Sequence, residues 1–285
     1  TLNVIFKWMV ENEHLQPQNK PIITRIKDKK NYREDANPAF LPEDWERFKD
    51  VLYKFDQGHE DEYETWRRRW FINYVRFMYG GGFRPHESRK IRFGDVELNT
   101  KRKDGKPVAI IQIDSDTKTG RREMVMNGNT FKNLKYHLNK GIKIRNKQIR
   151  EKNEKLLGGQ KVHDFHNRSY KEPLPEVAPI SKDDFILMNP FLNGKRRVYH
   201  ESYIRDWMNM ILKECDFKRR YTIYSLRSTH ISYALLNGQS VNKVSKNVGT
   251  SMQMIQQTYD GLSARYSIDE LGFFKDTNVP KEEDI

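Results

Sequence analysis

The residues best equipped for chemistry in this sequence are a tyrosine, two arginines and a lysine, each set in a short motif. The C-terminal third carries Tyr224-Ser225-Leu226-Arg227-Ser228-Thr229-His230, then Asn237-Gly238, Asn247-Val248-Gly249-Thr250-Ser251 and Thr258-Tyr259. Arg227 lies 32 residues before Tyr259, and Thr250 lies nine before it. Two earlier motifs are Gly82-Phe83-Arg84-Pro85-His86-Glu87 and Thr117-Lys118-Thr119-Gly120. Guanidinium groups keep their charge at every relevant pH and donate in pairs to phosphate oxygens. A phenol becomes a nucleophile once ionised, against an ordinary pKa of about 10. An ammonium can hand a proton to a departing oxygen. Together these residue types suit transfer of a phosphoryl group. Each also has a plainer reading. Tyr259 is one of 14 tyrosines. Arg84, after a glycine run, can be a solvated arginine. Tyr224 can cap or pack a helix, and Thr250-Ser251 after Gly249 can open the last helix.

The stretch 224–259 resembles the second signature block of tyrosine recombinases (the phage-integrase family). There a His-x-x-Arg motif opens a helix, a Leu-Gly-His-Ser turn follows, and a Tyr lies nine residues beyond that turn's His. The first block is similar too. Gly82 to Glu87 resembles Gly-x-Arg-x-x-Glu, and Ile91-Arg92-Phe93-Gly94-Asp95-Val96 resembles the segment that leads into the family's first strand. Thr117-Lys118-Thr119-Gly120 resembles the turn that carries the catalytic lysine, although Lys106, Arg121 and Arg122 lie close enough to compete with Lys118. The resemblance covers roughly residues 37–270, while residues 1–14 resemble only the last helix of the core-binding domain that precedes the catalytic domain.

The resemblance implies a division of labour. Tyr259 would attack the scissile phosphorus and hold the 3′ phosphate as a covalent ester. Arg84 and Arg227 would grip the non-bridging oxygens and stabilise the pentacoordinate transition state. Lys118 would protonate the leaving 5′ oxygen. Glu87 and His230 are accessory candidates. No metal, ATP or other small-molecule cofactor is implied. The partner is double-stranded DNA, engaged as a homotetramer on two duplexes, with the tail after Gly272 docking on a neighbouring protomer. Two positions depart from the pattern: Tyr224 stands where the family has His, and Thr250 where it has His or Trp. Telomere resolvases carry Tyr at the former position, and both residues keep a hydroxyl donor.

These side chains need a scaffold, and the apolar periodicity predicts a mostly helical one with a small antiparallel sheet near residues 91–126, an α+β fold of the tyrosine recombinase catalytic-domain type. Residues 1–14 read as a short amphipathic helix and 15–36 as a polar linker with Pro17 and Pro21, which sets domains at 1–36 and 37–285. A helix follows Pro42, with Trp45, Phe48, Val51, Leu52 and Phe55 on one side. Another spans 64–79, ended by Gly80, Gly81 and Gly82, and its Trp66–Trp70 stripe reads as core. Residues 85–97 predict a short helix leading into a strand, 108–114 and 123–126 a hairpin, and 129–157 a lysine-rich helix. Residues 158–183 read as a polar surface insertion and 185–188 as a strand. Four helices are predicted over 201–212, 225–236, 241–248 and 251–259, and a tail over 274–285.

Composition narrows the function classes. Lys and Arg total 52 against 39 Asp and Glu, a net charge of +13, which favours a polyanionic partner. No apolar run approaches the roughly 18 residues of a membrane helix, and no signal peptide opens the sequence. Thr1 in place of an initiator Met marks a fragment or a processed product. The single Cys215 excludes an internal disulfide framework and a multi-cysteine zinc site, consistent with a cytoplasmic, DNA-associated protein. His163 and His166 read as loop histidines rather than a metal pair. Three function classes stay open: a site-specific recombinase or integrase, a telomere resolvase or type IB topoisomerase-like strand transferase, and a catalytically weak DNA-binding protein.

Overall fold

The computed structural model describes residues 2–21, 37–98, 100, 102–114, 120–163, 169–170, 172–191 and 197–259; the side chains of residues 2, 3, 197 and 257–259 fall outside that description. Residues 1–36 and 37–285 form separate units. In the first, α1 (Leu2–Glu11) exposes Val4, Ile5 and Trp8, and Pro17–Asn19 makes a single 3-10 turn.

The second unit is built around two long helices. α2 (Pro42–Lys54) starts on a proline and carries Glu43 and Asp44 in its first turn, where the helix dipole favours anions. Its Trp45, Phe48 and Leu52 are buried. α3 (Glu62–Gly81) begins two residues before the predicted point because the Asp61 carboxylate accepts from the amides of Tyr63 (3.1 Å) and Glu64 (3.2 Å). It ends where Gly82 turns left-handed at φ 62°. α4 (Pro85–Ser88) follows at once, then a 3-10 turn at Phe93–Asp95.

The sheet is antiparallel, in the order β1 (Val96–Glu97), β2 (Val108–Ile113), β3 (Arg122–Asn127). Ile111 pairs with Met124 and Val108 with Asn127. Met124 and Met126 face the core while Glu123 and Val125 face solvent, the period of a half-buried strand. Asn127 then caps α5 (Gly128–Leu157), accepting from the Asn129 amide at 2.9 Å.

Helix α5 packs on α3 through a reciprocal pair of hydrogen bonds. Trp66 Nε1 donates to the His137 carbonyl, and His137 Nε2 bonds the Trp66 carbonyl, both at 2.9 Å, with the two rings stacked. Gly141 admits the indole, since a Cβ there would lie 2.4 Å from Trp66 Cε2. Trp66 and Trp70 are core residues, as the stripe predicts.

The described part of the 158–183 excursion does not stand away from the protein. The Asn153 side-chain amide pairs with both backbone groups of Leu174 (2.7 and 2.8 Å), and Asn146 does the same with Val177 (2.8 and 2.9 Å). The strand predicted at 185–188 falls at β4 (Met188–Asn189), paired with β5 (Arg197–Val198), while Phe185 makes an isolated bridge to Arg92. Among the described residues four more helices follow: α6 (Glu201–Cys215), α7 (Ser225–Leu236), α8 (Val241–Val248) and α9 (Met252–Tyr259). Among the described residues no helix is long and apolar enough to cross a membrane.

Burial, opposed by the Trp66 carbonyl contact, lowers the His137 pKa to about 4. The folded imidazole therefore stays neutral while the unfolded chain takes up a proton below about pH 6.5. Stability is fully present above pH 6.5 and falls as pH drops toward 4, with a slope of about 1.4 kcal/mol per pH unit for this group. Denaturant titrations of His137→Gln at pH 7, 6, 5 and 4 should show a shallower acid slope than the unaltered protein. An unchanged slope would remove His137 from the acid response.

Candidate active site

Helix α8 ends in carbonyls that no later turn of the helix can satisfy. Three consecutive ones take an arginine each. Arg122 Nε donates to the Asn247 carbonyl (3.4 Å), Arg227 Nη2 to Val248 (2.8 Å) and Arg84 Nη2 to Gly249 (2.7 Å). The three arginines come from β3, α7 and the residue just before α4, so one helix end gathers three separate parts of the sequence.

Each arginine is aimed by its own element. Arg227 is the third residue of α7, 5% exposed, and its Nη1 also donates to the Gly82 carbonyl at 2.6 Å. Arg84 follows the left-handed Gly82 by two residues. Phe83 between them is buried and stacks on Phe77. Glu87, the third residue of α4, turns its carboxylate back to the Arg84 amide (3.2 Å) and to Arg84 Nη1 (2.6 Å). Arg122 completes the cluster, with Nη2 2.9 Å from Glu87 Oε2 and Nη1 3.4 Å from Oε1. Burial pushes the Glu87 pKa up, but hydrogen bonds and charges from Arg122 and Arg84 outweigh it, and the net shift is downward. Glu87 is ionised in the folded protein at neutral pH.

Two glycines make room for this packing. A Cβ on Gly249 (φ 65°) would lie 2.6 Å from Arg122 Cζ, and one on Gly82 would lie 2.5 Å from His230 Cδ2. Asn247 ties α8 to the sheet as well. Its side-chain amide accepts from the Val125 N–H (2.7 Å) and donates to the Val125 carbonyl (3.1 Å), forming an extra rung on the outer edge of β3.

The predicted site residues fall as follows. Arg84, Glu87 and Arg227 come together. Thr250 adjoins the carbonyl that Arg84 takes, and its amide bonds the Ser245 carbonyl at 3.1 Å. The cap of α9 is the neighbouring Ser251, whose hydroxyl accepts from the Met254 amide (3.2 Å). Tyr224 sits at the start of α7, 40% exposed, and its carbonyl accepts from the Arg227 amide (3.0 Å). His230 lies behind the cluster, edge-on to Tyr79. Burial and the Arg227 charge outweigh a backbone contact to Tyr79 and lower its pKa to about 4. It is a neutral imidazole at pH 7 rather than a proton donor.

Tyr259 is the last residue of α9. That helix is anchored by the buried Ile255, in a cluster with Ile231, Ala234, Val244 and Val248. Its side chain lies outside the described residues, as do Lys118, His166 and the tail. Lys118 belongs to the 115–119 connection between β2 and β3, four residues before Arg122. In the sequence Arg122 stands out only as a rival to Lys118, and nothing there assigns Asn247 a role. The alternation of β3, which turns Arg122 to the same face as the buried Met124 and Met126, was the available signal. Among the described residues no group of three or more His, Cys, Asp or Glu is placed to hold a metal ion.

No protein-family model matches the chain, and no curated protein matches it in sequence. Its fold is similar to two solved structures of the XerH site-specific recombinase. Against the post-cleavage complex with palindromic difH substrate the TM-score is 0.55 at 14% identity, covering 94% of this chain and 65% of that one. Against the pre-cleavage complex with difH the values are 0.53 and 13%, covering 96% and 63%. A Tn1549 transposon integrase in complex with transposon right end DNA gives 0.51 and 13%, covering 94% and 76%. The chain thus spans slightly less than two thirds of the length of the XerH chains. The fold is that of the tyrosine recombinase catalytic domain, helices about a small antiparallel sheet.

Gly249→Ala should destabilise the protein by more than the roughly 1–2 kcal/mol of a left-handed alanine, because Arg122 must also move. Glu87→Gln should lower stability at pH 7. The native carboxylate has a depressed pKa, so its contribution is present above the ordinary carboxylate range and fades as pH falls through the folded value. The two proteins should therefore converge in acid. Equal midpoints at pH 7 would show that the carboxylate adds nothing.

Proposed function

We propose that this chain is a DNA strand transferase of the tyrosine recombinase kind, cutting and rejoining double-stranded DNA through a 3′-phosphotyrosyl intermediate. The observation that carries the reading is the convergence of Arg84 and Arg227 on adjacent carbonyls, Gly249 and Val248, at the turn that leads into the helix ending in Tyr259. The fold of recombinases crystallised on DNA and the net charge of +13 support it.

In this reading the Tyr259 phenolate attacks the scissile phosphorus. The bond from phosphorus to the phenolic oxygen forms as the bond to the 5′ oxygen breaks. Arg84 and Arg227 stabilise the charge on the non-bridging oxygens, which is where fixed donors act most strongly. Lys118, carried on the β2–β3 connection, supplies the proton that the 5′ oxygen needs. Tyr224 and Thr250 offer hydroxyl donors in place of the imidazole or indole of the wider family. The covalent ester retains the bond energy, so a 5′-hydroxyl from a second duplex reverses the step, within a homotetramer that brings two duplexes together. Phosphate contacts dominate affinity, and binding weakens steeply with salt. The exposed phenol of Tyr224 keeps a second outcome in view, closure of hairpin ends as in telomere resolvases.

The test is covalent trapping. The chain is incubated with a library of nicked suicide duplexes, adducts are recovered, and the attached DNA is sequenced. A protein–DNA adduct should form and should be abolished by Tyr259→Phe. Arg84→Ala and Arg227→Ala should each slow its formation by roughly 10²–10³-fold. Lys118→Ala should slow it too, and a sulfur in place of the 5′ oxygen should restore the rate, because a thiolate leaves without a proton. Absence of any adduct, or one that survives Tyr259→Phe, would overturn the reading. Joined duplexes identify recombination and hairpin ends identify resolution.

A further inference from the structure

Arg122 occupies a position that the chemistry above does not require. It is 9% exposed at its side chain, and its guanidinium meets both oxygens of Glu87 and the Asn247 carbonyl. The Glu87 side chain is fully buried. Its Oε1 takes Nη1 of Arg84 and Nη1 of Arg122, and its Oε2 takes the Arg84 amide and Nη2 of Arg122.

This arrangement resolves a conflict. Arg84 needs a fixed carboxylate to hold its fork in one orientation, and Glu87 supplies that from one helical turn away. A carboxylate 2.6 Å from a guanidinium also cancels its charge. An Arg84–Glu87 pair alone is neutral, and a neutral buried pair attracts an approaching phosphate far less than a lone guanidinium does. A second guanidinium on the same carboxylate returns the group of three to a net positive charge. The same second guanidinium caps α8 and fills the space left by the missing Cβ of Gly249, so its placement is fixed by packing rather than by a ligand.

We propose that Arg122 is a positioning residue that allows Glu87 to orient Arg84 without neutralising it, and so keeps the cluster attractive to a phosphate. The inference rests on the reading of the cluster as a phosphate grip. It is separable from strand transfer, because it concerns charge sharing and not the nucleophile. It also ties the hairpin that carries Lys118 to Arg84 through a single shared carboxylate.

The test compares three variants of the full chain, with folding checked by thermal unfolding: Arg122→Met, Arg122→Lys, and Arg122→Met combined with Glu87→Gln. The first readout is affinity for inorganic phosphate at constant ionic strength, and the second is the rate of adduct formation on the suicide duplex. Arg122→Met should weaken phosphate binding by about tenfold or more, since Glu87 then offsets Arg84 alone. Adding Glu87→Gln should recover most of that loss, because the glutamine still accepts from Arg84 but carries no charge. Arg122→Lys, which keeps the charge and drops the fork, should bind phosphate nearly as well as the unaltered chain.

A purely structural role predicts the opposite: the double variant, missing two buried contacts, would be worse than the single one, and Arg122→Lys would fail alongside Arg122→Met. Either result overturns the inference, as does a chain that binds no phosphate. An intact chain that binds phosphate in the expected pattern yet forms no adduct leaves the inference standing and defeats the strand-transfer reading instead. Should Arg122→Met fail to fold, Arg122→Lys decides: phosphate affinity near that of the unaltered chain supports charge as the role, and a deep loss refutes it.

Discussion

A helix must end, and its last carbonyls must find donors. In this protein that requirement is met at α8 by three guanidinium groups on three successive carbonyls. Hydrogen bonds to charged donors are worth about 1.5–3 kcal/mol each, and a buried carbonyl left bare costs a similar amount. The cap is therefore a strong local organiser. Arg122 fixes β3 against α8, Arg227 fixes α7, and Arg84 fixes the exit from α3. The local negative charge of the helix end also lowers the cost of gathering three cations in one place. Left-handed Gly249 is part of the same solution, since any side chain there would displace Arg122.

Much of this was legible in the sequence because it follows simple periods. The bounds of α7 and α8 match the predicted 225–236 and 241–248, since Ser240 caps the second and Gly249 stops it. Arg84, Glu87 and Arg227 were singled out by the resemblance of their motifs to those of tyrosine recombinases, and the fold brings the three together. Other features were not, for physical reasons. Helix α6 runs past the predicted 212 to Cys215 because Ile204, Trp207, Met208, Ile211 and Cys215 continue one buried face. The run 186–188 is buried throughout and has no alternation, so its strand could not be placed to the residue. Asn146 and Asn153 look like ordinary surface polar residues until each is seen to mimic a strand neighbour. Arg122 was missed because the predicted strand began at residue 123, one short of the position that its alternation turns to the face of Met124 and Met126.

The polar residues of α7 show how a helix can hold a buried guanidinium with little apolar surface of its own. Ser225, Ser228, Thr229 and Ser232 are buried on it. The Thr229 hydroxyl donates to the Ser225 carbonyl (2.6 Å) and accepts from the Phe40 amide (2.9 Å), and the Ser225 hydroxyl accepts from the Thr222 amide (3.0 Å). Small hydroxyl side chains let neighbouring backbone approach closely while leaving few polar groups unmet. The rigidity that Arg227 needs comes from these short bonds as much as from the core.

The same bonds have a mechanical consequence. The segment just before α2 is laced to α7 and to the residues that lead into it, across more than 180 residues of sequence: the Ser228 hydroxyl holds the Asn37 carbonyl (2.8 Å), the Thr222 hydroxyl holds the Asn37 side chain (2.6 Å), and Phe40 stacks on Tyr221. Asn37 is where the second unit begins. Separating residues 37–40 from α7 and the residues that lead into it would break all three of these contacts. The stretch that opens the second unit is thus bound to the helix on which Arg227 sits, although most of the unit's sequence lies between them.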